Sequence, residues 1–235
     1  MNDESNLTLT YTGLALLLLV VYGWFSYVVN ESEGGLYDAQ VDMSFRWGMA
    51  WFIFSEVMFF AAFFGALYYA RELSLPWLAG EGSKVSTNQE LWPTFENVWP
   101  SNGPANVGGE FIVMKAAGIP ALNTIILLIS GLTVTWAHHG LKEGKRNQLI
   151  LGLTATVLLG FIFVGFQAYE YSHAYNDLNL KMTSGMYGST FYMLTGFHGF
   201  HVTLGAIMLT VILFRCIRGH FTNENHFGFE AVASV

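Results

Sequence analysis

Glu56 is the sole charged residue among the 24 that separate Arg46 from Arg71. A helix rises about 1.5 Å per residue, so this segment can cross a hydrocarbon core of roughly 30 Å with Glu56 about 15 Å from Arg46. A carboxylate at that depth is costly unless protonated, paired or hydrated, which makes it a candidate functional group. It could be a protonated carboxyl bonded to a neighbour, or it could pass protons. A relay across the bilayer needs a series of titratable groups, and the apolar runs hold no second acid, so a complete proton channel in this chain is not expected. His198 and His201 in TGFHGFH are three residues apart, on one face of a helix. They could hydrogen-bond neighbours, or one could ligate a haem or metal. The other histidines, His138, His139, His173, His220 and His226, fall at span ends on both sides of the membrane, whereas the clustered histidine boxes of a membrane desaturase lie on one side. Cys216 is the one cysteine, so neither an intrachain disulfide nor a thiolate cluster is available. Arg46 and Arg215 sit at span ends, where a guanidinium can grip a lipid phosphate or serve as a plain positive anchor.

These groups need a membrane scaffold to position them. The 235 residues are 53% hydrophobic and 11% charged, against about 25% charged in soluble domains. Net charge is −7 and no basic run occurs, which argues against a nucleic-acid partner. Five apolar runs are long enough to span, at about 9–29, 47–70, 119–137, 149–169 and 190–214. Helices are the expected form, because lipid cannot satisfy an open sheet edge. The expected fold is therefore all-α, a polytopic transmembrane helix bundle forming one domain. The acidic start MNDESN precedes a first run too long for a signal peptide, so that run reads as a retained span.

Lysines and arginines orient the spans. Arg46, Lys142, Lys145, Arg146, Arg215 and Arg218 fall in short loops or at span ends on one side. Arg71, Lys84, Lys115 and Lys181 are spread over longer loops on the other. Short basic loops stay inside, so the amino terminus is expected outside and the carboxyl terminus inside. The long segment 72–118 is then an outer loop, either a docking surface or a disordered link. Depth also suggests a partner for Glu56. It lies about 14 Å from the inner end of its span, and His201 about 20 Å from the inner end of its own. They differ by about one turn, so a span-five histidine or a water beside it is the expected partner.

Long motifs carry a resemblance. FRWGMAWFIFSEVMFFAAFFGALYYAR, PALNTIILLISGLTVTWAHHGLKEGKR, QAYEYSHA, YGSTFYMLTGFHGFHV and GHFTNENHFGFEA occur in the order found in subunit III of haem–copper cytochrome c oxidases. The chain resembles that family from about Tyr22 to Ala231, failing mainly in the long loop. The family form has seven spans, two in one arm of a V and five in the other, with phospholipid between. The spans here match the second to sixth, so the first and last are expected to be missing.

The resemblance implies a non-catalytic subunit of a proton-translocating aa3-type cytochrome c oxidase. It implies haem and copper in subunits I and II, no metal site and no catalytic residue in this chain, direct contact with subunit I, and bound phospholipid. It places the family's carbodiimide-reactive carboxylate at Glu56 and its lipid-gripping arginines at Arg46 and Arg215. Glu56, His198 and His201 become structural or proton-environment groups, and the subunit is expected to stabilise its catalytic neighbour and sustain proton uptake. Two readings compete: subunit III of a related quinol oxidase or nitric-oxide-reductase-associated protein, and a free-standing proton or lipid transporter. We expect an integral protein of the bacterial inner membrane rather than the mitochondrial one.

Overall fold

The computed structural model describes residues 7–222 and 226–234. The acidic MNDESN run and part of the GHFTNENHFGFEA motif lie outside the described residues. The described residues are helical, with no strand among them. Five helices are long and apolar enough to cross a membrane. They are α1 (Leu7–Glu33), α2 (Ala39–Tyr69), α5 (Ile119–Lys142), α6 (Arg146–Asn176) and α7 (Gly185–Arg218). Each expected run is present, but most helices overrun it, because the hydrogen-bonded ladder continues after hydropathy falls. At the end of α2 the chain continues through a π-turn, Ala70–Ser74, into α3 (Leu75–Leu78).

Local sequence explains where the helices begin and end. Pro120 occupies the first turn of α5, where its missing N–H leaves no bond unmade. Gly219 ends α7 in the left-handed region, at φ 80°. Its N–H bonds the Cys216 carbonyl and the His220 N–H bonds that of Arg215, both at 3.1 Å, which closes the last turn.

The single domain expected from the sequence packs as two compact units, residues 1–49 and 50–235. In the first, the link from α1 to α2 is tied by Tyr37. Its hydroxyl donates to Glu31 Oε2 at 2.8 Å, and its ring lies 5.2 Å from that of Phe45.

In the second unit α6 packs against both α5 and α7. Small residues make these approaches close. A Cβ on Gly152 would stand 2.9 Å from the Ala137 Cβ and 3.0 Å from the Thr133 carbonyl oxygen. Thr133 and Thr156 join α5 to α6 through their hydroxyls at 2.8 Å. Ala137, Leu141, Leu149, Leu153, Ile212, Cys216 and Phe229 form the buried core of α5, α6, α7 and the short α8 (Phe227–Ala233).

The segment 72–118 is folded rather than a loose link. It contains α3, a 3-10 turn at Gly82–Lys84 and α4 (Val85–Leu91). It then lies against the α6–α7 connection. The Ile112 N–H donates to Leu178 O at 2.9 Å, and the Asn179 amide donates to Glu110 O at 2.9 Å. Phe111 stacks on Tyr187 with ring centroids 5.5 Å apart. Gly185, at φ 60°, lets the start of α7 pass the Asn102 backbone where any side chain would collide.

Candidate functional site

Glu56 lies on the part of α2 that belongs to the second unit, and α2 buries no side chain in this chain. Its Oε2 is 2.5 Å from His201 Nε2 on α7. The expected span-five partner is therefore in place. The other ring nitrogen, Nδ1, lies 2.6 Å from the Phe197 carbonyl oxygen one turn earlier. A carbonyl only accepts, so Nδ1 carries a proton. The short Nε2–Oε2 approach then holds one proton, borne by the carboxyl or, in an imidazolium carboxylate, by Nε2.

Aromatic side chains surround the contact. Phe59 and Phe63 of α2 lie 4.9 and 5.3 Å from Phe197, and Phe60 lies 5.3 Å from the His201 ring. These rings line one side of the polar pair. The side chains nonetheless stay about one-third open, 32% for Glu56 and 27% for His201.

His198 behaves differently from His201. It lies edge-on to Phe163 of α6, at 5.7 Å, while His201 turns to α2. The i, i+3 spacing puts both on one side of α7, but they engage different helices and do not converge on one ligand. Arg46 pairs with Asp42 one turn earlier on α2, Nε to Oδ2 at 2.9 Å. Arg215, in the last turn of α7, places its guanidinium 4.4 Å from the centre of the Phe221 ring. Either cation keeps a protein partner while near a span end.

Two features were not visible in the apolar runs. Glu170 lies toward the end of α6, 7% exposed, with Oε1 buried and making no hydrogen bond. The fourth run stopped at 169, one residue short of it, whereas α6 continues to Asn176. Glu170 stands 24 residues from Arg146, about 36 Å along α6, at the far end of the helix and outside the apolar run. The histidines also gather more than their sequence spacing suggests. His138 and His226 approach Glu230, while His173 pairs with Asp177 at 2.6 Å. An aspartate four residues after His173 was the available signal for the second pairing.

Five membrane-length helices, an acid–imidazole pair joining α2 to α7 and small-residue seams between α5, α6 and α7 are the frame for comparison with known proteins. The family profile described as cytochrome c oxidase subunit III matches residues 1–235. Cytochrome c oxidase subunit 3 of Tetraodon nigroviridis is 42% identical over 230 residues, covering 97% of this chain and 77% of the relative. The Gadus morhua protein of the same name is 42% identical over 227 residues, covering 96% and 76%. That of Salmo salar is 42% identical over 229 residues, covering 97% and 77%. With the whole chain matched and relatives of this identity covered over three quarters of their length, this integral membrane protein belongs to the cytochrome c oxidase subunit III family.

Proposed function

We propose that this chain is the non-catalytic subunit III of an aa3-type cytochrome c oxidase, a component of an oxidoreductase complex in which other subunits hold haem and copper. Its work in this reading is to stabilise catalytic subunit I, seat phospholipid and sustain proton uptake. Subunit II belongs to the same assembly. Arg46 and Arg215 serve as lipid-phosphate contacts at span ends. Glu56, His198 and His201 are polar groups of the intramembrane environment rather than catalytic residues. The observation that carries this reading is the Glu56–His201 contact on a helix with no buried side chain. A helix so exposed gains its burial from lipid or another subunit, and the pair, about one-third open, borders that surface.

The relatives, all cytochrome c oxidase subunits, favour that enzyme over the quinol-oxidase reading. Those relatives are fish proteins, so the bacterial inner membrane gains no support and the mitochondrial inner membrane is the better reading. A free-standing transporter would need no partner. Isolation from native membrane separates the two: copurification with a haem- and copper-bearing subunit supports the oxidase, and a chain recovered without one ends that reading. Glu56→Gln then tests the pair in the assembled complex. We expect slower proton uptake and a shorter functional lifetime during turnover, while unchanged assembly, uptake and lifetime would remove Glu56 from the proposed role.

A further inference from the structure

Away from Glu56, three side chains meet at the end of the bundle that carries Lys142, Lys145 and Arg146. His138 comes from the last turns of α5, His226 immediately precedes α8, and Glu230 lies on α8. One ligand atom from each lies within 4.8 Å of the other two. Glu230 Oε1 is 3.6 Å from His138 Nε2 and 3.2 Å from His226 Nε2. Both Nε2 atoms are shut off from solvent, and neither makes a hydrogen bond. Phe229, 1% exposed, lies 5.4 Å from the His138 ring and walls the site.

The tautomer of His226 follows from its other nitrogen. Nδ1 lies 3.2 Å from the Thr222 carbonyl oxygen, which can only accept, so Nδ1 carries the proton and Nε2 presents a lone pair. Metal-ligating imidazoles are commonly held by such a carbonyl, which fixes both ring orientation and tautomer. Tetrahedral zinc takes nitrogen and oxygen donors at about 2.0–2.2 Å, which sets neighbouring donors roughly 3.3–3.5 Å apart. The two histidine–carboxylate separations are already close to that spacing. Two imidazoles and a carboxylate oxygen form a zinc-type set with a fourth position for water.

We propose that His138, His226 and Glu230 bind a zinc ion that clasps α8 to the end of α5. The two histidines are 88 positions apart in sequence, so an ion held by both fixes the tail segment across the helix ends. This site is independent of the Glu56 pair and of the oxidase assignment. The test uses the full chain in detergent, stripped of metal and titrated with Zn2+ against a chromophoric chelator. One equivalent of zinc is expected to bind, and affinity should fall by roughly tenfold or more in His226→Ala and Glu230→Gln. A wild-type chain that takes up no stoichiometric zinc, or a folded His138→Ala/His226→Ala chain that binds as tightly as wild type, overturns the proposal. Helix content by circular dichroism identifies any variant that fails to fold. Zinc-edge X-ray absorption on the wild-type chain then decides: two imidazoles in the nearest shell support the site, and fewer than two, or a sulfur ligand, overturn it.

Discussion

The α5–α6 seam and the α2 segment within the second unit are both apolar, membrane-length helix, yet they meet their surroundings in opposite ways. At the seam, Gly152 lies against Ala137 and Thr133 with no room for a Cβ, and a hydroxyl pair ties the two helices. On α2, a Cβ at Gly65 would meet no atom within 4 Å, and no side chain of the helix is buried. Both contain the small residues that let helices approach closely. In one the approach is made within the chain, while in the other no part of the chain makes it. Small residues in a membrane helix thus mark a close contact without saying which molecule makes it.

Substitutions can break or sharpen this contrast. The largest effect is expected from Gly152→Leu, which puts four carbons where not even one fits against a backbone carbonyl. Overpacking typically costs about 1–3 kcal/mol, and here the obstruction is partly main chain, so the upper end is expected. Thermal unfolding in detergent should drop sharply, and an unaltered transition would mean that α5 and α6 are less tightly joined than described. Next is Glu56→Gln, which keeps the shape but removes the acid. Interhelical hydrogen bonds in membranes are worth about 0.6 kcal/mol on average and up to roughly 1.7. With both side chains one-third open, we expect about 1 kcal/mol, read from denaturant unfolding of the isolated chain.

Thr156→Val removes the hydroxyl facing Thr133 while preserving volume, and should cost about 0.6 kcal/mol in the same assay. Gly65→Ala should change stability of the isolated chain by less than about 0.5 kcal/mol, since the position is open. Gly65→Leu sharpens the comparison. It should be equally tolerated in isolation but reduce copurification of the neighbouring subunit if α2 packs against one. The smallest effect concerns Glu143 in the α5–α6 turn. Its carboxyl is held below the usual range by a hydrogen bond from the Lys145 ammonium, 2.7 Å away. A lowered folded value means the contribution is present above the ordinary pKa of 4.5 and is lost as pH falls through the folded value. The melting difference between wild type and Glu143→Gln should therefore shrink on acidification, and one that grows would reverse this sign.

Much of the fold was legible because lipid leaves a chain few choices. An apolar run of sufficient length must be a helix, so all five spans could be located. Depth arithmetic brought Glu56 and His201 to nearby levels because a helix advances by a constant rise. The same reliance on apolar runs concealed Glu170, since hydropathy fades before the helix does. His138, His226 and Glu230 were illegible for a different reason. Their meeting depends on how a short helix after α7 folds back over α5, and no periodicity within either segment encodes that return. The segment 72–118 admits two readings from sequence, because its Gly, Pro and Asn content suits an ordered turn as well as a loose coil.

The fold of that segment imposes an order on biosynthesis. Its resting place is made by Leu178, Asn179 and Tyr187, which are synthesised after α5 and α6. The segment therefore emerges before its own binding surface exists. It has to wait, with the Ile112 amide and the Glu110 carbonyl turned to water, until two further membrane crossings have been made and α7 has begun. Docking of 101–112 on the α6–α7 connection is accordingly a late event, one that reports the arrival of α7.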